Sequence, residues 1–398
     1  MNQSPRRLAA VGLAILLIIG VAYGIFSSAR EALGPGAVTL NGLIGSEKDP
    51  FFRDARVVAA LKRGGFIVQV STAGSRQIAN RDLGGLDFAF PAGIPAAEKI
   101  RQDHSGSRTF DPFFTPMAIG TWKPIVALLE GAGVVHQTGT YSTFDVAAYM
   151  QLVDTNKRWK DLPNNTAYQV NKSILITSTD VRRSNSAAMY LSLTSYVANG
   201  DNIVENSATA NSIADRLSPL FLRQGFVASS SEEPFDDYLV QGMGKSPMVM
   251  IYESQFIQRA AAADGSVTDE MQLIYPDPTI LSKHRFVGLT PNGIRLGEFL
   301  TTDPEMRSLA TQYGFRTSDT AGFAKFTADH QLTVPSSFLD VIEPPTYETL
   351  EAMITRLEAI YNGQGLPTPA PEPSSVVSPS AASSEATPTD SSVPSATQ

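Results

Sequence analysis

The residues best able to do chemistry in this chain are small, mostly uncharged and clustered. Gly45-Ser46-Glu47-Lys48 follows a short apolar run. Thr72-Ala73-Gly74-Ser75-Arg76 follows a second, and Thr179-Asp180-Val181-Arg182-Arg183-Ser184-Asn185-Ser186 follows a third. Ser and Asn offer hydroxyl and amide groups without bulk, and Gly gives access to the backbone. Where a strand ends and a helix begins, the first helical N–H groups lack intrahelical partners and carry a partial positive charge. Such junctions hold polar or anionic solutes without reacting with them. The same residues are also ordinary helix caps. Either reading fits one junction; three together favour a site.

Reaction chemistry is hard to find. His104, His136, His284 and His330 are scattered, with no pair at helical metal spacing. Gly242-Met243-Gly244-Lys245-Ser246 resembles the end of a phosphate loop. Leu239 stands where that loop needs Gly, and the apolar run follows it instead of preceding it. Glu232-Glu233 and Asp236-Asp237 are paired acids that read as a solvated turn in a Ser-rich loop. No Gly-x-Ser-x-Gly elbow occurs. Asp180 is followed by Ser184 and Ser186, two places too late for an Asp-x-Ser-x-Ser metal-adhesion pattern. Trp122 and Trp159 read as core or interface fillers. The chain has no Cys, which excludes disulfides, Cys-zinc sites, Fe–S clusters and thiol catalysis. The expectation is a protein with no catalytic residues, no cofactor and no metal.

The elements that must position the junctions alternate. Short apolar runs at Val38–Ile44, Phe66–Val70, Asp87–Pro91, Met117–Thr121, Ser173–Thr177, Met248–Tyr252, Met271–Tyr275 and Phe286–Leu289 predict strands. Helical spacing marks Asp49–Arg63, Ala96–Arg101, Lys123–Leu129, Ala187–Val197, Ile294–Tyr313 and Tyr347–Tyr361. It also marks Phe144–Val153, with Ser142 or Thr143 as its N-cap. Strand–helix alternation predicts an α/β fold with parallel sheets covered on both faces. With 31 Lys+Arg against 39 Asp+Glu, the net charge of −8 argues against a basic nucleic-acid footprint. Hydrophobic residues make up 42% of the 398 positions, enough for two or three real cores.

Both ends differ from the middle. Arg6 and Arg7 precede an uncharged apolar stretch from Leu8 to Ala29. Residues 1–35 therefore read as a signal anchor, or as a signal peptide cut before Arg30, with Ser27 and Ala29 as the small residues. Both readings export the rest of the chain. Residues 363–398 are Pro, Ser, Thr and Ala with only Glu372, Glu385 and Asp390 charged, so a disordered tail is expected.

In order along the chain stand Gly45-Ser46-Glu47-Lys48, Gly74-Ser75-Arg76, Asp87-Phe88-Ala89-Phe90-Pro91-Ala92-Gly93, Arg182-Arg183-Ser184-Asn185-Ser186-Ala187, Tyr252-Glu253 and Ile274-Tyr275-Pro276. Phe299-Leu300, Pro304-Glu305 and Gly314-Phe315-Arg316 follow. Over about residues 38–320 this set resembles extracellular solute-binding proteins of the type 2 periplasmic-binding fold, the branch of the sulfate, molybdate and phosphate binders. The resemblance implies two α/β lobes joined by crossing strands. Lobe one would be 36–118 plus 277–362, and lobe two 119–276. It implies a ligand-binding set of Ser46, Ser75 and Arg76 facing Ser184, Asn185 and Ser186, with Tyr252 and Glu253 at the returning hinge. Arg76 is either a fork to the ligand or a surface ion-pair partner. Tyr252-Glu253 either touches ligand or holds an Arg or Lys, the second being favoured. Ala187 stands where the family often has Gly, and the family's lipid-anchoring Cys is missing. The expected partners are a small polar or anionic ligand, a membrane permease, and the membrane through the N-terminal helix. A module of the cell envelope that kept the fold without ligand binding is the other reading; it predicts a cleft lined by bulky apolar residues.

Overall fold

The computed structural model describes residues 36–225 and 227–364. The expected anchor, and the tail beyond residue 364, lie outside the described residues. Among the described residues, no helix is long and apolar enough to cross a membrane.

Ten strands form one continuous sheet: β1 (Val38–Ile44), β2 (Phe66–Thr72), β3 (Phe88–Phe90), β4 (Arg108–Trp122), β5 (Val135–Thr138), β6 (Tyr141–Asp145), β7 (Met248–Tyr252), β8 (Met271–Asp277), β9 (Thr279–Gly288) and β10 (Val341–Ile342). Their order is β2-β1-β3-β9-β4-β8-β6-β5, with β7 on β4 and β10 on β9. The sheet is mixed, not parallel throughout. β1 runs parallel to β2 and β3, and β6 to β8, whereas β9 is antiparallel to β3 and β4. The physical reason lies in β4. Its first half, Arg108–Pro116, pairs with β9; its second half, Met117–Trp122, pairs with β7 and β8. One strand thus serves two sheet halves, and β8–β9 returns beside it in the opposite sense.

Each half carries its own apolar core. Leu40, Ile44, Phe51, Phe88, Phe90, Phe113, Phe286 and Leu296 pack on one face of β1-β3-β9, and Leu43, Ile78, Ala97, Ile100 and Val287 on the other. This is lobe one. In the second half, the helix Asn185–Ala198 is buried along its length from Ser186 to Ser195 and packs against the helix Ser207–Leu222. A helix apolar all round is a core helix, and this one is the centre of lobe two. Met189, Tyr190, Leu191 and Leu193 are its large buried apolar side chains, each contributing about 1.5–3 kcal/mol.

The C-terminal helix Tyr347–Tyr361 departs from the sequence expectation, which put it in lobe one. Leu350, Met353, Ile354 and Leu357 join the lobe-two core against Ser207–Leu222. Its apolar stripe at i, i+3, i+4 and i+7 is legible in sequence, but not which lobe it faces.

Four local expectations also change. Ser173–Thr177 makes only two single bridges, at Ser173 and Thr177. Tyr149 Oη and Gln224 Oε1 take the N–H groups of Ile176 and Ser178, so side chains replace the strand ladder. Ser142 and Thr143 lie within β6, and Asp145 caps the next helix by accepting from the Ala148 N–H at 2.8 Å. The single helix expected over Ile294–Tyr313 is two, Pro291–Thr302 and Pro304–Gln312. Asp303 accepts from the Met306 N–H at 2.9 Å, and Pro304 has no N–H with which to continue the first helix. The acids at 232–237 open a helix, Glu232–Gln241, instead of a turn, where negative charge suits the N-terminal dipole.

Candidate functional site

A cavity of about 210 Å³ lies between the lobes. Lobe one lines it with Gly45, Ser46, Glu47, Thr72, Gly74, Ser75 and Gln77; lobe two contributes Arg183, Ser184, Asn185, Ser229, Ser230, Ser231 and Tyr252. Every wall is the end of a strand or the start of a helix. Ser46 opens the 3-10 turn after β1, Ser75 opens the helix Ser75–Ala79 after β2, and Ser184 is the N-cap of Asn185–Ala198. Ser231 precedes Glu232–Gln241, and Tyr252 closes β7.

The lobes meet tightly around this cavity. Ser46 Oγ stands 3.5 Å from Ser230 Oγ. A Cβ built on Gly74 would come 2.1 Å from the Arg183 carbonyl oxygen, and one on Gly93 would come 2.7 Å from Asn185 Oδ1. Only glycine allows these approaches. Asn185 Nδ2 donates to Tyr252 Oη at 3.1 Å and to Ser282 Oγ at 3.4 Å, tying the first turn of the lobe-two helix to β9.

The hydroxyls keep donor capacity. Ser75 Oγ accepts from the Ala92 N–H at 2.9 Å, which leaves its own O–H free. Ser184 makes no side-chain cap bond; its Oγ meets Ser186 Oγ at 3.0 Å, and the opening amides of the helix stay uncapped by a side chain. Burial, and then the nearby Glu47 charge, push the Tyr252 phenol up, so it stays neutral. Arg183 is exposed and makes no salt bridge among the described residues, because Arg182 takes the Asp180 carboxylate at 2.7 and 2.8 Å.

A charged floor underlies the lobe-one wall. Lys48 is fully buried and donates to Glu47 Oε1 and, at 3.1 Å, to His284 Nδ1. Burial holds the Lys48 ammonium below its ordinary value, with Glu47 opposing. Burial and then the Lys48 charge hold His284 well below its ordinary value, so the imidazole is neutral and accepts at Nδ1. Its Nε2 is buried without a partner among Phe113, Phe315 and Tyr252.

Three residues named from the sequence lie away from the cavity. Arg76 pairs with Glu351 of the C-terminal helix, its Nε at 2.7 and 2.9 Å from the carboxylate, and donates to the Arg182 carbonyl at 3.2 Å. It links the lobes beside the cleft instead of reaching into it, because Glu351 supplies the carboxylate its fork matches. Ser186 sits behind Ser184, held by Thr179 Oγ1 at 2.8 Å. Glu253 is wholly buried and bidentate to Arg316 at 2.7 and 2.8 Å. Of the two readings left open for it, the holding of an Arg describes its geometry.

Sequence reasoning missed Glu47, Arg183 and Ser229–Ser231 as lining groups, and Lys48–His284 beneath them. Glu47 and Arg183 stood inside quoted motifs. The run of three Ser before Glu232 is the signal that identifies the third helix start. Nothing in the sequence links Lys48 to a histidine 236 places away.

No family model matches the chain, and no curated protein sequence matches it. Solved structures similar to it include type 2 periplasmic solute-binding proteins. The periplasmic molybdate-binding protein of Azotobacter vinelandii is 12% identical with a TM-score of 0.41, over 70% of this chain and 100% of that one. Iron-bound HitA from Pseudomonas aeruginosa is 11% identical with a TM-score of 0.48, over 83% and 100%. A solute-binding protein of an ABC transporter from Thermotoga lettingae, bound with α-D-tagatose, is 11% identical with a TM-score of 0.49, over 82% and 95%. The chain itself has a mixed α/β fold whose two halves carry separate apolar cores.

Proposed function

We propose that this is an exported, membrane-tethered solute-binding protein that captures a small polar or anionic ligand between its lobes. The observation that carries the reading is the composition of the cavity. Hydroxyls from both lobes, an uncapped helix start and Arg183, which makes no salt bridge among the described residues, line one gap. Hydrogen-bond donors around a buried anion form charge-assisted bonds, which are about twice as strong as neutral ones. A molecule bridging Ser46 and Ser75 on one side and Ser184 on the other binds the closed arrangement better than the open one, so it shifts the population toward closure. The set of Ser46, Ser75, Ser184, Asn185 and Tyr252 is the ligand-contacting group. Arg76 and Glu253 act on closure and hinge.

The biological use that follows is delivery to a membrane permease, or sensing, with the apolar stretch from Leu8 to Ala29 as the tether. The other reading, an envelope module without ligand, predicts bulky apolar walls; the polar lining supports the binder. The test is thermal shift and calorimetry of the full chain, in mild detergent, against oxyanions, sugars and amino acids. At least one class is expected to stabilise the protein. A folded protein stabilised by none of them would point to the envelope module.

A further inference from the structure

The cavity is charged unequally at its two sides. On the lobe-one side stands Glu47, whose side chain is 10% exposed. One of its oxygens is taken by buried Lys48; the other, Oε2, accepts no hydrogen bond from the described residues. Asp49 stands two places on, and Glu232 follows the lining Ser231 of lobe two. Partial desolvation, then Asp236, Glu47 and Asp49, hold the Glu232 carboxyl above its ordinary value. On the lobe-two side stand Arg183, without a salt bridge, and the opening turn of Asn185–Ala198.

A simple anion satisfies only the second side. A fully ionised oxyanion such as sulfate has no proton to give Glu47 Oε2. A simple amine satisfies only the first side and meets Arg183. A neutral sugar supplies donors but brings no anionic group to Arg183, whose neighbouring acid Asp180 is ion-paired with Arg182. The cavity of about 210 Å³ falls below the ~300–1,000 Å³ of drug-sized sites, which restricts the guest to a small molecule.

Resting on the solute-binding reading, we infer that the cleft takes a small zwitterion, its cationic group donating to Glu47 and its anionic group held by Arg183, Ser184 and the adjoining helix start. The Lys48 ammonium beneath Glu47 fixes the carboxylate's orientation and is itself too buried to meet the guest. Closure over a zwitterion brings each end of the guest to the opposite charge.

The test uses matched probes on the full chain in mild detergent. Calorimetry would compare glycine, serine, β-alanine and glycine betaine with lactate, with ethanolamine, with sulfate and phosphate, and with a hexose. A zwitterion is expected to bind at least tenfold more tightly than lactate or ethanolamine, and sulfate not to bind measurably. Betaine, lacking N–H donors, is expected to bind more weakly than glycine. Arg183→Gln, at an exposed position, is expected to leave the melting temperature unchanged and to cut zwitterion affinity at least tenfold. Glu47→Gln is expected to lose the preference of the zwitterion over lactate. If sulfate, phosphate, lactate or the hexose binds as tightly as every zwitterion, or alone, this inference is wrong while solute binding stands. If no probe binds the folded protein, both fall.

Discussion

Replacing Arg316 by Met tests the account of the hinge. Glu253 opens the helix Glu253–Ala262 directly after β7 and is 0% exposed; Arg316 is 6% exposed. Two N–H···O bonds of 2.7 and 2.8 Å join them, and Tyr275 Oη donates to the same carboxylate at 2.8 Å. Arg316 also donates to the Pro335 carbonyl at 2.7 Å and lies 4.5 and 5.1 Å from the ring centroids of Phe323 and Phe338. Its backbone is paired both ways with Phe114 in β4 at 2.9 Å, so the ion pair ties lobe two's returning strand to a crossing strand. Met keeps the apolar packing against the two rings and removes every donor. Glu253 is then a buried carboxylate with one donor left. Breaking a buried pair from one side costs about 3–5 kcal/mol, and the orphaned Pro335 carbonyl adds about 1 kcal/mol. The expected loss in urea unfolding is therefore about 3–5 kcal/mol or slightly more. The double variant Glu253→Gln with Arg316→Met removes the stranded charge and should recover at least half of it. A single variant that loses less than about 1 kcal/mol, or a double variant no better than the single, would refute the reasoning.

Three further outcomes follow from the cleft. Ser184→Ala should weaken ligand binding by about 1 kcal/mol or more, roughly fivefold, in calorimetry; an unchanged affinity removes Ser184 from the contact set. Gly74→Ala places a methyl 2.1 Å from the Arg183 carbonyl oxygen, so it should hold the lobes apart and cut affinity at least tenfold. The unliganded melting temperature should barely move, and small-angle scattering should show a larger radius. His284 titrates well below its unfolded value of ~6.5, so the unfolded chain binds the extra proton and stability is lost as pH falls below that value. The unfolding free energy from urea titrations between pH 7 and 5 should fall, by at most about 1.4 kcal/mol per pH unit from this one group, and His284→Gln should flatten that slope.

The chain's cores were legible because their patterns are local. Val38–Ile44, Phe66–Val70 and Met248–Tyr252 are apolar runs of strand length, and each is a strand. β4 was recognised only at Met117–Thr121, although it spans 15 residues. Pro112 and Pro116 hid the rest, since Pro removes a ladder donor; the strand tolerates Pro112 because the register shifts between Phe110 and Phe113. The helix Ser207–Leu222 went unseen for a similar reason, with Pro219 inside it and many small polar residues. The three polar junctions were readable because a cap and a binding site draw on one short list of residue types. Their convergence on one cavity depends on the crossing of β4 and β9, which no local pattern encodes. Nothing local marks Glu47-Lys48 as buried; the packing of Phe90 and Phe113 above β9 makes it a floor.

Closure is the point at which these separate features become one balance. Arg76 with Glu351, Asn80 with Tyr347 Oη at 2.6 Å, and Asn185 with Ser282 all hold the lobes together without any guest. The Arg76 and Glu351 side chains are each about a quarter exposed, at 28% and 26%, so solvent screens that pair and its contribution is near the ~0–1 kcal/mol of surface bridges. Against it stands the mutual repulsion of Glu47, Asp49 and Glu232, weakened in the same way by water and salt. Neither of these two terms is large, so a ligand's differential affinity for closed over open lobes would decide the population. The C-terminal helix contributes to both lobes. It is anchored in the lobe-two core by Leu350, Met353 and Ile354, yet its first turn reaches lobe one through Tyr347. A guest that neutralises the acidic side of the cleft therefore acts in the same direction as the helix, and one that adds negative charge there acts against it.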